Sequence, residues 1–449
     1  QGSKGNGVTA ITVNGGNILA DSGAAIYLPN SGVYTFNGGV ISGEGALYVK
    51  CGTLNINGGK FISTKAERTE YTYNGNGCDL TGDAVIIDAC DYPAQNPIVN
   101  ITGGEFVVTA SGCSGIAYYR RYCDQTATIT NTTQQEITET KIHDYVNGVC
   151  SKCGEVQEGL EAVVGEGTSA KAYATLAEAV ANAGGTVTIK LMQDVTLSEC
   201  LSIADETKEI TLDLNGKKIH ATASKAIELN GGTLTLKNGL IEAEEAALRV
   251  IGDGADGQAV ASKMVLASDL SVRSNSMYCV FVRGLGAELV TAANLTNDSV
   301  YATIQGNGQA KYAVKSITIT GGKIENLKNA AMYLPNGGEV NISGGEIVGS
   351  SALYLKSGIV TITGGKFVAT KTPAEDYQYN NDGANITGDA VVIDACGYPS
   401  GNPQVTIRGG EFIAVSETAK GIAYYSYKGN EATIVNETQY EIVKCEVGA

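Results

Sequence analysis

Four side chains of the kinds that bind transition metals occur near the middle of the chain. In the stretch HDYVNGVCSKCGE, His143 precedes Cys150 and Cys153, which have the Cys-x-x-Cys spacing. Thiolates and imidazoles are common ligands of tetrahedral zinc, and Cys123 or Cys113 could supply a fourth ligand from upstream. A redox dithiol, which would lack its usual βαβ setting, and an inert linker hairpin are the alternatives. We predict one structural zinc ion, held by His143, Cys150, Cys153 and Cys123.

Carboxylates are the second group that could do chemistry. Two pairs recur 306 residues apart: Asp83 and Asp88, then Asp389 and Asp394. Two carboxylates can share general acid and base work in polysaccharide cleavage, but residues five positions apart on a strand point to opposite faces. One of each pair is therefore expected to lie in a turn, and we predict no catalytic residue. The stretch GDGADG, with Asp253 and Asp256, could bind calcium, although a plain turn is favoured.

Tyrosines mark a third candidate site. In the runs AVIID and AVVID the alternate aliphatic residues should face a core, so Asp88 and Asp394 point outward. Two long loops flank each of these strands and carry tyrosines, whose rigid rings and hydroxyl groups suit the binding of a sugar or a protein surface. The predicted ligand-binding residues are Tyr71, Tyr73, Asp88, Tyr92, Tyr118 and Tyr119, and, in the second copy, Tyr377, Tyr379, Asp394, Tyr398, Tyr424 and Tyr425.

Outward tyrosines also have a purely structural interpretation. They can stack in a ladder from one coil to the next and stabilise the fold, and for Tyr27, Tyr48, Tyr333 and Tyr354 this interpretation is favoured. For the loop tyrosines the ladder and the binding site are both left open. Two binding sites on one chain would permit bivalent attachment.

Short strands separated by glycine corners must position these side chains. Gly-Gly pairs begin at residues 15, 38, 58 and 103, so they are separated by 23, 20 and 45 residues, which is one coil, one coil and two coils. Alternating strands of four to six residues with this period are typical of stacked β-coils rather than of a sandwich. We predict an all-β solenoid.

One short helix is predicted, at about residues 175–183. Thr175 and Glu178 form a capping box, and Gly184 is expected to supply the left-handed stop. Such a helix in front of a solenoid would cover the apolar interior and the open strand edge of the first coil. We predict that it is an N-terminal cap.

Internal repetition divides the chain. Residues 26–59 match those 306 positions later at 17 of 34 positions. We predict lobe 1 at residues 1–139, a Cys-containing linker at 140–158 and lobe 2 at 159–449. Lobe 1 corresponds only to the second half of lobe 2 and has no capping helix, so we expect the natural protein to extend upstream, as a monomer within a longer tandem array.

Composition narrows the range of partners. The chain has 31 basic and 47 acidic residues, a net charge of -16, which disfavours nucleic acid. We expect no membrane insertion, because no long apolar run is present, and we find no leader or anchor signal. Eleven cysteines in 449 residues are too few for a disulfide framework to hold the chain together.

The stretches ATLAEAVANAGGTVTIKLMQDVTLSECLSI and ITLDLNGKKI resemble the opening of pectin-lyase-like domains in large surface proteins of Gram-positive gut bacteria. HDYVNGVCSKCGE is similar to a Cys-x-x-Cys-Gly element that recurs between such domains. The resemblance implies a right-handed parallel β-helix and an extracellular protein attached to the cell surface through other parts of the parent protein.

A fold of this kind is shared by adhesins, carbohydrate binders, lyases and hydrolases, so it does not decide the function. We predict a non-catalytic adhesin that holds a host glycan or host glycoprotein. The resemblance, and not any residue pattern, implies that the partner could be mucin or immunoglobulin. The alternatives are a polysaccharide lyase or glycoside hydrolase and a structural stalk.

Overall fold

The computed structural model describes residues 7–67, 69–70, 77–78, 80–121, 123–371, 382–384, 388–398 and 401–447. The chain forms two compact units, Gln1–Gln157 with Glu166–Ser169, and Glu158–Gly165 with Ala170–Ala449. The linker predicted at residues 140–158 thus lies almost entirely in the first unit. Among the described residues, no helix is long and apolar enough to cross a membrane.

The first unit is built from short strands. They are β1 (Ala10–Val13), β2 (Asn17–Leu19), β3 (Ala24–Leu28), β4 (Val33–Phe36), β5 (Val40–Gly43), β6 (Gly45–Val49), β7 (Thr53–Ile56), β8 (Lys60–Ser63), β9 (Thr69–Glu70), β10 (Leu80–Thr81), β11 (Val85–Ala89), β12 (Ile98–Ile101), β13 (Glu105–Val107), β14 (Ile116–Arg121), β15 (Thr128–Asn131), β16 (Ile137–Ile142), β17 (Tyr145–Val146) and β18 (Val149–Cys150). A 3-10 helix covers Gly167–Ser169.

Three parallel sheets form the walls of this unit, in the orders β1-β4-β7-β12-β15, β2-β5-β8-β13 and β3-β6-β11-β14-β16. Each of the first four coils contributes one strand to each wall, and the last contributes β15 and β16 to two of them. β9 with β10 and β17 with β18 form two small antiparallel pairs outside the walls.

The second unit continues the pattern. Its elements are β19 (Ala162–Val164), β20 (Lys171–Tyr173), α1 (Leu176–Asn182), β21 (Thr186–Leu191), β22 (Val195–Leu197), β23 (Leu201–Ile203), β24 (Glu209–Asp213), β25 (Lys218–Ala221), β26 (Lys225–Leu229), β27 (Gly232–Lys237), β28 (Gly239–Ala243), β29 (Ala246–Ile251), β30 (Ser262–Leu266), β31 (Leu270–Ser274), β32 (Val280–Arg283), β33 (Ala287–Thr291), β34 (Asn294–Asn297), β35 (Ile304–Gly306), a 3-10 helix (Ala310–Tyr312), β36 (Ser316–Ile319), β37 (Lys323–Asn326), β38 (Met332–Leu334), β39 (Glu339–Ile342), β40 (Glu346–Gly349), β41 (Leu353–Leu355), β42 (Ile359–Ile362), β43 (Lys366–Ala369), β44 (Val391–Ala395), β45 (Gln404–Ile407), β46 (Glu411–Ala414), β47 (Ile422–Tyr427), β48 (Thr433–Asn436) and β49 (Ile442–Val447).

Three long sheets form its walls: a sheet of twelve strands, a sheet of nine and a sheet of ten. The ten-stranded sheet, β23-β26-β29-β32-β35-β38-β41-β44-β47-β49, corresponds to β3-β6-β11-β14-β16 of the first unit. We call both of them the tyrosine sheet. Strands pair in parallel throughout these walls, except for β19, β20 and β21 at the start of the twelve-stranded sheet. The predicted all-β, parallel β-helix fold is confirmed.

The core of each unit lies inside the coils. Aliphatic residues at alternate strand positions turn inward, as in β5 and β8, where Ile41 and Phe61 are fully buried. Phe61 and Phe106 are register partners on neighbouring coils, and their rings stack with centroids 5.4 Å apart. Phe36, from another wall, meets the Phe61 ring edge-to-face at 5.7 Å. Stacking like residues above one another lets every coil fill the same interior space.

Asparagine and glycine build the corners of the first unit. The Asn37 side chain donates to Asn14 at 2.8 Å, and Asn57 donates to Asn37 at 2.9 Å, so the amides of successive Asn-Gly-Gly corners form a ladder. Gly39 has φ +97°, and a β-carbon there would lie 2.9 Å from the Gly16 carbonyl oxygen below it. The corner therefore requires glycine both for its φ and for the close approach of two coils.

Helix α1 covers the start of the second unit's core, as its amphipathic pattern predicts. Thr175 is the N-cap and accepts from the Glu178 N–H at 3.1 Å, while Leu176, Ala179 and Val180 are buried. The stop differs from the prediction: Gly185, not Gly184, has a positive φ, of 61°. The chain leaves the helix in an extended conformation at Ala183, so the left-handed turn comes two residues later.

Candidate metal centre and covered strands

A hairpin in the first unit builds most of the metal centre. β17 and β18 pair around Asn147 and Gly148, whose φ values of 53° and 74° suit the tight two-residue turn that Asn-Gly favours. Beyond β18 the chain turns back, because the N–H of Gly154 donates to the Cys150 carbonyl at 3.0 Å. This turn aims the Cys150 and Cys153 thiols in the same direction.

Four ligand atoms meet at this hairpin. The thiols of Cys123, Cys150 and Cys153 and a ring nitrogen of His143 all lie within 4.8 Å of one another. Cys123 Sγ is 3.6 Å from Cys150 Sγ, and Cys153 Sγ is 3.5 Å from His143 Nδ1. Two ligands of a tetrahedral ion with bonds of about 2.3 Å are about 3.8 Å apart. The distances between the ligand atoms are therefore close to those of a tetrahedral metal site.

The thiols differ in their readiness to ionise. Burial raises the pKa of the Cys123 thiol, and hydrogen bonds with Cys153 and Cys150 raise it further. Burial acts in the same direction on Cys150, but hydrogen bonds from the backbone at Cys153 and Lys152 and from His143 outweigh it and lower the pKa to about 6. The lowered pKa of Cys150 favours the thiolate, which is the form that binds metal.

Neighbouring groups orient the imidazole of His143. Its Nε2 lies 3.5 Å from Glu155 Oε1, and the ring of Tyr145 stacks on it with centroids 5.3 Å apart. A carboxylate on the far nitrogen leaves Nδ1 free for a metal, an arrangement common around histidine ligands. Sequence reasoning missed this role of Glu155, although the residue stands in the same HDYVNGVCSKCGE stretch.

The structure brings together the four residues that the sequence predicted as metal ligands. Cys113, the alternative fourth ligand, is not part of the group. Three thiols and one imidazole complete a tetrahedral shell and leave no position for a substrate, which is the composition of a structural site. The Cys/His cluster can hold a metal ion.

The strand that carries Asp88 is covered rather than open. Asp88 and Lys50 point out of the core, as predicted, but both are fully buried. Lys50 Nζ lies 3.5 Å from Asp88 Oδ2, which also accepts from the Tyr48 hydroxyl at 2.7 Å and from the Cys78 N–H at 3.1 Å. Gly77 lies directly above, since a β-carbon there would be 2.1 Å from Asp88 Oδ2.

The second unit repeats this construction. Lys356 Nζ lies 3.2 Å from Asp394 Oδ2, and Asp394 accepts from the Tyr354 hydroxyl at 2.9 Å and from the Ala384 N–H at 3.0 Å. A β-carbon on Gly383 would be 2.2 Å from the same carboxylate. The expectation that Asp88 and Asp394 line an exposed groove is therefore corrected, because each lies beneath its insertion. The signal for the buried partner was the lysine that ends both ALYVK and ALYLK.

The other two carboxylates are also structural. Asp83 accepts from the Tyr119 hydroxyl and the Ser114 N–H, both at 2.6 Å. Asp389 accepts from the Tyr425 hydroxyl at 2.5 Å and from the Lys420 N–H at 2.7 Å. Asp83 lies in the bend before β11, so the prediction that one member of the pair is a turn residue is confirmed.

The described tyrosines of the predicted ligand site divide into three groups. Tyr118 and Tyr424 face the core, where their hydroxyls accept from the backbone N–H groups of Ala127 and Ala432. Tyr119 and Tyr425 lie in small buried clusters on the outer side of the tyrosine sheet. Tyr92 and Tyr398 are only partly buried.

Ligand binding by Tyr92 and Tyr398 stays a prediction. The four buried tyrosines are instead packed in the protein. The remaining residues of the predicted site lie outside the described part of the chain: Tyr71, Tyr73, Tyr377 and Tyr379.

The ladder interpretation agrees with the geometry of the outward tyrosines. Tyr27 and Tyr48 occupy adjacent strands with ring centroids 5.5 Å apart, and Tyr333 and Tyr354 repeat the contact at 5.8 Å. Edge-to-face contacts of this kind stabilise neighbouring coils.

The GDGADG stretch does not offer calcium a set of carboxylates. Asp253 Oδ1 lies 3.2 Å from the Arg283 guanidinium, which supplies the positive charge there, and Asp256 is exposed. The structure agrees with the turn that the sequence favoured over calcium: the Gly254 N–H donates to the Gln258 carbonyl at 2.9 Å.

No protein family model, curated protein or solved structure matches the chain. Its function must therefore be argued from the arrangement of its own residues.

Proposed function

We propose that the protein is a non-catalytic binding protein of a bacterial cell surface, an adhesin that holds a host glycan or host glycoprotein. One observation carries the choice of binding over cleavage. The four carboxylates that repeat along the chain and could have formed acid and base pairs are at most 1% exposed, and all accept structural hydrogen bonds. A carboxylate buried in this way cannot reach a glycosidic bond.

The scaffold supports this proposal. A β-helix with long, regular walls presents extended surfaces that suit attachment to large partners.

Three assays on the same purified chain test the proposal. A glycan array and a pull-down from host glycoproteins should each report whether the chain binds, and a reducing-sugar assay on the bound glycans should show no release. Release of sugar would contradict the proposal in favour of a lyase or hydrolase. Silence in all three assays would leave the chain as a structural stalk and would also overturn the proposal.

We also propose that the metal is zinc and that its role is structural. The supporting observation is the closed set of three thiols and one imidazole, Cys123, Cys150, Cys153 and His143, within 4.8 Å. Zinc would tie the turn after β14, which carries Cys123, to the β17–β18 hairpin. Binding to such a site contributes directly to folding.

Elemental analysis of the chain purified with added zinc should find one zinc ion per molecule. Cys150→Ser should lose the zinc, and hydrogen exchange should then show lower protection of the β17–β18 hairpin. Cys113→Ser is the matched control, because that thiol lies outside the group, and it should keep the zinc. Disulfide formation in the purified chain without stoichiometric zinc would favour the redox alternative and contradict this proposal.

A further inference from the structure

A cleft of about 390 Å³ opens on the outer face of the tyrosine sheet in the second unit, beside the GDGADG turn. Strand register brings its residues together. Glu228 of β26 pairs with Arg249 of β29, and Ile251, two residues further on, pairs with Arg283 of β32. The residues that line the cleft precede the part of the second unit that repeats the first with the offset of 306.

Two arginines form the charged wall of the cleft. Arg249 Nη1 donates to Glu228 Oε2 at 2.6 Å, and Arg283 Nε forms an ion pair with Asp253 Oδ1 at 3.2 Å. Each guanidinium also lies over an aromatic ring: Arg249 is 5.4 Å from the centre of Phe281, and Arg283 is 4.6 Å from the centre of Tyr312. Rings beneath them hold both guanidinium groups in place before any ligand arrives.

Hydrogen bonding around the cleft is incomplete. Among the described residues, four buried atoms that lack a hydrogen-bond partner belong to this one cleft: Asn230 Oδ1, Arg249 Nε, Asp253 Oδ1 and Arg283 Nε. The contact between Arg283 and Asp253 is close enough for an ion pair but is not aligned as a hydrogen bond. Buried polar atoms without partners are costly, and a concentration of them often marks a functional place.

Part of each guanidinium remains open to the cleft. The side chains of Arg249 and Arg283 are 22% and 28% exposed, whereas that of Asp253 is 8% exposed. A guanidinium has five N–H donors, and one contact with a carboxylate leaves most of them for a ligand. The cleft therefore offers donors at its mouth and acceptors deeper in its wall.

The balance of charge restricts the ligand. Two arginines and two carboxylates, Glu228 and Asp253, line the cleft, so the charges of the lining itself cancel. Lys225, which lies outside the lining, also pairs with Glu228 Oε2 at 2.8 Å. An inorganic anion would meet both carboxylates, and a metal cation would meet both guanidinium groups. A hydroxyl group suits both kinds of neighbour, because it can accept from a guanidinium N–H and donate to a carboxylate or amide oxygen.

We propose that this cleft binds a neutral saccharide residue through neighbouring hydroxyl groups, a site that rests on the proposed binding function and gives it a location. One hydroxyl accepts from Arg249 or Arg283 and donates to Asp253, while an adjacent hydroxyl engages Asn230. Adjacent hydroxyl groups on a pyranose ring can each donate and accept a hydrogen bond, so a single sugar residue can engage the arginines, Asp253 and Asn230 together. The volume of the cleft lies within the range of small-molecule sites.

Saturation-transfer NMR with the full chain and methyl glycosides of neutral hexoses and N-acetylhexosamines tests the site. At least one glycoside should give signals, and Arg249→Gln and Arg283→Gln should each weaken its binding by about tenfold, because charge-assisted hydrogen bonds are lost. Arg408→Gln is the matched control: it removes the same charge from an arginine whose side chain is 54% exposed and pairs with Glu437 at 3.3 Å. It should bind like the parent protein.

Asn230→Ala gives a second variant that leaves both ion pairs intact, and it should weaken binding by a few fold at a parental melting temperature. Glycoside binding that is unchanged in Arg249→Gln and Arg283→Gln would overturn the cleft assignment, as would a clear preference of the parent chain for sulfate or a free amino acid. If the parent chain binds host protein but no glycoside, the cleft assignment fails and the binding function stands. If it binds neither, both fail.

Discussion

The two copies of the coil that carries the long insertion share their buried contacts and differ in the turn that follows. Each copy has a lysine, an aspartate and a tyrosine in mutual contact beneath a glycine: Lys50, Asp88, Tyr48 and Gly77 in the first unit, and Lys356, Asp394, Tyr354 and Gly383 in the second. The sequences around them have diverged at many positions. Because both copies keep these four residues and their contacts, we infer that the coil requires them.

The turn after the next strand of the tyrosine sheet is different. In the first unit the Tyr118 hydroxyl accepts from an N–H nine residues further on, and in the second unit the Tyr424 hydroxyl accepts from one eight residues further on. The longer turn contains Cys123 with φ 57°. The shorter turn uses Lys428 and Gly429, with φ values of 52° and 76°.

This difference separates architecture from chemistry. A residue with a β-carbon in the left-handed region costs about 1 kcal/mol relative to glycine. The first unit tolerates that cost at the residue whose thiol joins His143, Cys150 and Cys153. The buried ion pair is common to both copies, and the candidate metal ligand Cys123 lies where the copies differ.

The largest effect is expected from substitutions that remove the buried lysine–aspartate ion pair common to both units. Asp394→Asn keeps an acceptor for Tyr354 and Ala384 but leaves the buried charge of Lys356 without its counter-charge, and we expect a loss of about 3 kcal/mol in the free energy of unfolding. Asp88→Asn should cost the first unit a similar amount. Denaturant unfolding gives the size of the loss, and hydrogen exchange at residues 77–78 and 382–384 locates it.

A double variant sharpens this test. Lys356→Met combined with Asp394→Asn removes both charges and keeps the acceptor, so most of the lost stability should return, because neutral replacements of a buried pair are well tolerated. A double variant as unstable as Asp394→Asn would show that the charge of Lys356 is not the cause. A loss in only one unit would show that the copies are not equivalent.

A smaller effect is expected at the glycines above the pair. Gly383→Ala and Gly77→Ala would place a β-carbon against a carboxylate at φ values of +100° and +98°, and we expect each to cost about 2 kcal/mol. Gly184→Ala is the control, since nothing lies within 4 Å of its β-carbon position. Equal melting temperatures for Gly383→Ala and Gly184→Ala would contradict the tight cover over Asp394.

The sequence was sufficient for the fold and for the metal ligands, because both are local or periodic patterns. Asn-Gly-Gly corners at a steady spacing predict stacked coils, and Cys-x-x-Cys beside an Asn-Gly turn predicts a ligand hairpin. It was insufficient for the covered strand, since alternation shows that Asp88 points out of the core but not that Gly77 lies on top of it.

The arginine cleft was missed for a related reason. Glu228, Arg249 and Arg283 are 21 and 34 residues apart in the sequence and carry no motif. Only the register of β26, β29 and β32 places them side by side. The coils have loops of different lengths, so a constant sequence spacing does not show which residues are neighbours. The strand register must be known first.

The smallest effect is expected from Cys123→Gly, whose change in the free energy of unfolding should have opposite signs with and without zinc. Cys123→Gly relieves the left-handed strain, so in the presence of a chelator the variant should be more stable than the parent by up to about 1 kcal/mol. With zinc present it should be less stable, because one of the four ligands is gone. Thermal unfolding with and without zinc measures both.

Lys428→Gly makes the same backbone change in the second unit at φ 52°, and its gain in stability should not depend on zinc. If Cys123→Gly behaved like Lys428→Gly in both conditions, the cysteine would have no metal to hold, and the difference between the two turns would be one of length alone.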